Sequence, residues 1–289
     1  QFIQLLRDVV AIPAGWATSE SHFSFDLAAS SVVAILVTLV VIGRIERIGK
    51  LTVRLVPSMV LLYLFMTVTV MVTYAADIPA TLMLIVTDAF TGEAAASGSI
   101  MAVILIGVRR GAFSNEAGIG TESMAHGAAK TAEPIREGVV AMVGPVIDTL
   151  LVCTCTALII LLTGVWQTEN GIEGVTLTAR AIEQVFPLIG NYLLLIMVGL
   201  LSFSTMVTMW FYGVKCMGFL FGAKRQYWYT PIYLILLLAG AVVSMDIVNG
   251  LILATYATMA IPTMISALYL APKVNQAAEK YFAKLNADK

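Results

Sequence analysis

Long uncharged apolar runs alternate along this chain with short polar segments. The runs are Leu27–Gly43, Leu55–Ala76, Ala94–Val108, Gly138–Gly164, a stretch inside Gln184–Val214, Gln226–Met245 and Leu251–Ala271. Most match the roughly 20 residues a helix needs to cross a bilayer. Ala94–Val108 does not, because as a helix it covers only about 22 Å at ~1.5 Å per residue. The pattern predicts seven spans, with the third unfinished. Between them, residues 1–26 carry Arg7, Asp8, Glu20 and Asp26 and read as a loop. Its turn and interfacial anchor is Ile12-Pro13-Ala14-Gly15-Trp16. Residues 79–90 and 176–186 read as short helices in the connectors. Asp246–Gly250 reads as a tight turn, and Pro272–Lys289 as an amphipathic cytoplasmic tail.

Composition turns the pattern into a class. The chain is 59% hydrophobic and 12% charged, against about 25% charged for a soluble domain. That is an all-α polytopic membrane protein whose solvent is the lipid bilayer. A net charge of −1 argues against a nucleic-acid partner. Cys153, Cys155 and Cys216 all sit in apolar runs without paired metal-ligand spacing, so they read as small core residues. The chain begins at Gln1 with no initiator Met or signal peptide, and is expected to lack an N-terminal portion. With the 44–54 loop in the cytoplasm, alternation puts every Lys and Arg except Arg7 and Arg180 on that side. The positive-inside rule is obeyed, and the C-terminus is expected to be cytoplasmic. This requires the short third run to cross.

The residues that must complete the crossing are Arg109-Arg110-Gly111-Ala112-Phe113-Ser114-Asn115-Glu116-Ala117-Gly118-Ile119-Gly120. Glycines at 107, 111, 118 and 120 weaken a continuous helix. An interrupted apolar span is the best sequence pointer to a transporter's binding site. An outer half-helix, 97–108, would end in unpaired carbonyls suited to a cation. An inner half-helix, 115–130, would begin in unpaired amides suited to an anion. Ser114 or Asn115 suits the N-cap, and Glu116 complements the dipole in the first turn. Alternatively, a helix ends here and a cytoplasmic loop begins at Arg109. Composition does not separate the two.

Arg110 to Gly120 closely resembles the signature of the alanine or glycine:cation symporter family, also called sodium:alanine symporters. The resemblance continues through Ala125-His126, Ala128-Ala129-Lys130-Thr131, Ile147-Asp148-Thr149, Cys153-Thr154 and Thr156-Ala157. Phe203-Ser204-Thr205, Tyr212-Gly213 and Cys216 look like a further marked helix of the family. The resemblance implies the five-plus-five inverted-repeat amino-acid/sodium symporter fold, with seven of eleven transmembrane helices present. The chain would form one transporter domain, with residues 1–76 closing the first repeat, 94–271 forming the second and 272–289 the tail. It implies sodium-coupled symport of a small neutral amino acid, alanine or glycine, across a bacterial or archaeal plasma membrane.

By the same resemblance, Phe113, Ser114, Asn115, Thr205 and Met209 line the substrate pocket. Ser204 and Thr205 offer hydroxyl oxygens to sodium, and Asp148 and Glu116 are the acids available for ion coupling. Each has a plainer role beside it. Ser and Thr bond back to their own helix, Glu116 can pair with Arg109 or Arg110, and Asp148 can anchor a buried hydrogen bond. A charge at membrane depth is nevertheless a functional hypothesis by default. His126 reads as a packing or interfacial residue. Two departures stand out: Met209 where the family often has Trp, with Trp210 one position later, and Thr121-Glu122-Ser123 in place of Ser-Ala-Pro.

Other functions compete. An intramembrane enzyme would need a catalytic constellation, and neither His-Glu-x-x-His nor Gly-x-Ser-x-Gly occurs. No organic cofactor is expected. Proton-coupled symport would rest on Asp148, whereas a solute-gated channel or sensor would use the same broken helix.

Overall fold

The computed structural model describes residues 2–18, 21–42, 44–90, 100–168 and 174–287. Glu20, Gly43, residues 94–99 at the start of the third run, Glu169 and Glu173 fall outside them. Described in chain order, the helices are α1 (Phe2–Leu6), α2 (Phe23–Val41), α3 (Arg44–Thr73) and α4 (Ile78–Phe90). There follow α5 (Ile100–Asn115), α6 (Thr121–His126), α7 (Pro134–Pro145), α8 (Thr154–Thr163) and α9 (Val165–Thr168). The series closes with α10 (Val175–Val185), α11 (Gly190–Phe221), α12 (Tyr229–Val242) and α13 (Met245–Ala287). A π-helical segment, Val146–Cys153, joins α7 to α8.

Among the described residues, 5 helices are long and apolar enough to cross a membrane: Phe23–Val41, Val53–Thr73, Pro134–Thr163, Gly190–Phe221 and Ile247–Ala287. This is the architecture of a polytopic membrane protein. Two of the seven expected spans fall short of that length. One is the third run, where α5 is a helix of 16 residues, about 24 Å long. The other is the sixth, Gln226–Val242. The short helices expected in the connectors are present as α4 and α10.

The chain divides into two compact units. The first comprises Gln1–Val86 with Cys155–Val248, and the second Thr87–Thr154 with Asn249–Lys289. In the first, α11 packs against α3, α10 and α12, and α12 packs against α2. Val37, Met66, Ile159, Leu194 and Val207 fill its core with 1% exposure or less. Hydroxyls in these helices mostly bond back to carbonyls one turn earlier, as Thr38 does to Ala34 and Thr67 to Tyr63. This satisfies them without a partner helix. Tyr63 and Tyr233 instead bond across helices, Tyr63 sharing a hydrogen bond with Thr156 and Tyr233 donating to the Met206 carbonyl.

Two expectations about the polar segments are corrected. Residues 1–26 are only in part a loop: among those described, 2–11 and 23–26 are helical. Phe2–Leu6 is helical and continues as a π-helical turn, Arg7–Ala11, before the Ile12–Trp16 turn, and α2 already begins at Phe23. The charges are the reason. Arg7 Nη1 lies 2.7 Å from Asp26 Oδ2, and His22 Nδ1 lies 2.9 Å from the same oxygen. Asp26 sits in the first turn of α2, where a carboxylate complements the helix dipole. What reads as loop charge is a cluster around one buried carboxylate, Asp26. The Asp246–Gly250 turn does not form either. The break falls at extended Val243, and α13 runs from Met245 through Pro262 and Pro272 into the predicted tail. Gly250 keeps an ordinary backbone angle, so nothing in the helix stops there.

Candidate functional site

The candidate site lies in the second unit, where α5 ends. The chain is interrupted as its glycines suggest, but further along than expected. Gly107 and Gly111 both stay helical, and α5 runs unbroken to Asn115. The predicted inner half-helix of residues 115–130 reduces to α6, and its N-cap position falls to Gly120 rather than Ser114 or Asn115. Positive φ appears only past Asn115, at Glu116 (54°), Gly118 (82°) and Gly120 (97°). Asn115 explains the shift. Its Oδ1 accepts a hydrogen bond from the Ala117 N–H at 3.0 Å, a local side-chain bond that competes with the helix ladder and ends it. Glu116 then takes a left-handed conformation rarely seen outside glycine. Strain of that kind persists only where surroundings over-determine it.

The surroundings are visible. A Cβ on Gly118 would stand 2.7 Å from Met264 Cε, and one on Gly120 would stand 2.9 Å from Thr263 Oγ1. Helix α13 therefore presses against the interruption at the two positions where glycine is also required by φ. Tyr256, on the same helix, lies within electrostatic reach of Glu116.

Across from the interruption runs the π-helical segment, which packs against α5. Pro145 immediately precedes it. Lacking an N–H, Pro145 leaves the carbonyl one turn back without its helical donor, and a widened turn follows. Two side-chain bonds tie this segment to the end of α5. Ser114 Oγ donates to Asp148 Oδ2 at 2.5 Å, and Asn115 Nδ2 donates to Thr149 Oγ1 at 3.0 Å. Ser114 Oγ also lies 3.7 Å from Cys153 Sγ. Asp148 therefore has a neutral partner. No ion pair joins it, or Glu116, to an arginine among the described residues.

Between these elements lies a cavity of about 300 Å³, lined by Ser114, Asn115, Ala117, Glu122, His126, Ala141, Gly144, Pro145 and Asp148. Its small residues, Ala117, Ala141 and Gly144, leave room for a compact ligand. Its polar groups converge from three elements. His126 ends α6 and reaches α7, with Nδ1 2.8 Å from Glu137 Oε1, so it bridges helices rather than merely packing.

Three of the predicted residues, Ser114, Asn115 and Asp148, are thus brought together. Phe113 lies in α5 by its backbone, but its side chain is outside the described residues. Ser204, Thr205 and Met209 belong to the first unit, on the unbroken helix α11. Ser204 is buried, and its Oγ donates to the Leu201 carbonyl at 2.8 Å, as its plainer role requires. Thr205 is exposed and Met209 half-buried. Trp210 is buried, with Nε1 donating to Thr230 Oγ1 at 3.1 Å. It is a packing residue of the α11–α12 contact. Sequence reasoning missed Glu122, Thr149 and Glu137 as site residues. Thr149 stood inside a quoted motif, and Glu122 in a departure from the family pattern. For Glu137 there was no signal.

A family model described as the sodium:alanine symporter family matches residues 9–289. An uncharacterized transporter of Bacillus subtilis, YflA, is 35% identical over 90% of this chain and 56% of its own length. The sodium/alanine symporter AgcS of Methanococcus maripaludis is 33% identical over 86% of this chain and 56% of its own length. The probable sodium/glutamine symporter GlnT of Bacillus subtilis is 31% identical over 86% of this chain and 52% of its own. The chain thus spans about half the length of the curated relatives it matches. With apolar helices of membrane-crossing length and a family match over nearly every residue, this chain belongs to the sodium:alanine symporter family.

Proposed function

We propose that the protein is a secondary transporter that carries a small neutral amino acid, alanine or glycine, together with sodium across the plasma membrane by alternating access. The observation that carries this reading is the interrupted α5–α6 element, whose last helical residues, Ser114 and Asn115, bond across to Asp148 and Thr149 beside a small cavity. Backbone leaves a helix at membrane depth only where protein or a water-filled cavity satisfies it, and such interruptions are where transporters bind substrate and ion. In this reading Ser114 and Asn115 line the substrate path, Phe113 supplies its apolar wall, and Asp148 meets the coupling cation. A hard cation suits carboxylate and hydroxyl oxygens.

Ser204 and Thr205 are proposed separately as hydroxyl ligands for sodium, with Met209 shaping the space for the substrate side chain. The chain is read as part of a five-plus-five inverted repeat with a cytoplasmic C-terminus. Relatives named for alanine and for glutamine make side-chain size the open variable. A cavity of about 300 Å³ has room for a small neutral amino acid.

The test is uptake of labelled alanine by the intact protein in proteoliposomes under an imposed sodium gradient. Accumulation that follows the sodium gradient is expected. Uptake indifferent to sodium but driven by a proton gradient would transfer the coupling role to protonation of Asp148. Passive equilibration alone would make the protein a channel. Asn115→Ala and Thr205→Ala are each expected to impair uptake while leaving membrane insertion normal. If both keep normal alanine and sodium dependence, the residue assignment is wrong.

A further inference from the structure

The interruption ought to present bare amides to an anion, and from Ala117 to Gly120 it does not. Every backbone N–H from Ala117 to Gly120 already has a partner within the same segment. Ala117 N–H donates to Asn115 Oδ1 at 3.0 Å, and Ile119 N–H to the Glu116 carbonyl at 3.4 Å. The other two go to one side chain. Gly118 N–H donates to Glu122 Oε1 at 3.2 Å, and Gly120 N–H donates to Glu122 Oε2 at 3.0 Å. Both oxygens of a single carboxylate are spent on alternate amides of the turn.

This arrangement is what a bound carboxylate ligand would make with those amides. Bonds from N–H to an ionised acceptor are about twice as strong as neutral ones, so the turn is well tied. It needs to be. Glu116, Gly118 and Gly120 all hold positive φ, and α6 is only 6 residues long, too short to hold a shape by its own ladder. Met264 and Thr263 limit the turn from one side, and Glu122 ties it from within.

We infer that Glu122 is a positioning residue, a built-in carboxylate that fills the amide cradle of the interruption and holds Ser114 and Asn115 in register with Asp148 and Thr149. Two consequences follow. The carboxylate of a transported amino acid is not received by the amides of Gly118 and Gly120. Removing the Glu122 side chain opens a cradle that a small free carboxylate can fill in its place. The inference rests on the transport reading for its functional readout, but the cradle itself can be tested without transport.

The experiment is Glu122→Ala in the intact protein, with formate as the probe. In detergent, thermal unfolding of Glu122→Ala should fall below wild type and recover in part as formate is added, while wild type shows no formate response. In proteoliposomes, the maximal uptake rate of Glu122→Ala should drop about tenfold, the scale of one or two charge-assisted bonds. The apparent KM for alanine should stay close to wild type, and formate should restore rate. A Glu122→Ala protein unresponsive to formate in both assays overturns the inference. So does one with a lowered KM, which would make Glu122 a competitor of the substrate rather than a support.

If Glu122→Ala is not recovered from membranes, Glu122→Gln serves. Its amide nitrogen cannot accept from an N–H, so a loss of at least a few-fold in maximal rate is expected, and wild-type rates would overturn the inference. Failure of wild-type protein to transport at all would strike the function and leave the formate-dependent unfolding result intact.

Discussion

Asp26 and Asp148 are both carboxylates drawn into helical packing, and their hydrogen-bonding needs are met in opposite ways. Asp26, with a side chain 5% exposed, is met by the Arg7 guanidinium at 2.7 Å and by His22 at 2.9 Å. Asp148 is met by a hydroxyl, that of Ser114, at 2.5 Å. A hydroxyl satisfies the geometry of a carboxylate oxygen but supplies no countercharge. In a membrane interior an uncompensated charge is costly, so Asp148 is the group with reason to bind a mobile cation. Asp26 already holds a fixed one. On the proposed transport reading, the first acid serves folding and the second the transport cycle, although in sequence they differ only in what surrounds them.

The comparison breaks most sharply at Arg7. Arg7→Ala leaves Asp26 buried against only a partly exposed histidine, and losing one partner of a buried pair costs about 3–5 kcal/mol. Thermal unfolding of the intact protein in detergent should fall by many degrees, and an unchanged Tm would mean that the cluster is not structural. Asp148→Asn should do the reverse. The shape and the Ser114 contact can survive, so unfolding should stay near wild type. The sodium concentration for half-maximal uptake should rise by about tenfold or more, on the scale of a lost charge-assisted ligand. Equal sodium dependence in the two proteins would sink the assignment. His22→Gln is the smallest test. Its ring is 41% exposed, and such pairs contribute about 0–1 kcal/mol. A shift in unfolding as large as that of Arg7→Ala would show that the histidine, not the arginine, carries Asp26.

The site was legible to different depths. Glycine spacing and the Ser-Asn-Glu triplet marked the interruption, but they put it at 109–114 instead of 116–120. Glycine lowers helix propensity without dictating where a helix stops. Here the stop was decided by Asn115 bonding to Ala117 N–H, with Met264 and Thr263 of α13 close against positions 118 and 120. Asp148 was legible as a lone charge in an apolar span. Its pairing with Ser114, 34 residues away, was not, because nothing local encodes which helices will adjoin. Glu122 shows the converse. Its contacts are local, two and four residues back, yet the motif it departs from drew attention away from it.

Hydropathy by itself determined that the chain is helical and crosses a membrane. The charges expected on one side of that membrane, and the short third run, followed from the same reading. These depend on residue type and period, which the bilayer reads one segment at a time. Only tertiary structure decided that Arg7, His22 and Asp26 form a charge cluster, that the interruption begins after Asn115, and that the amides of Gly118 and Gly120 are closed by Glu122. Those outcomes depend on which groups meet in space. For a buried polar group, the available partner decides between a structural tie and a functional site.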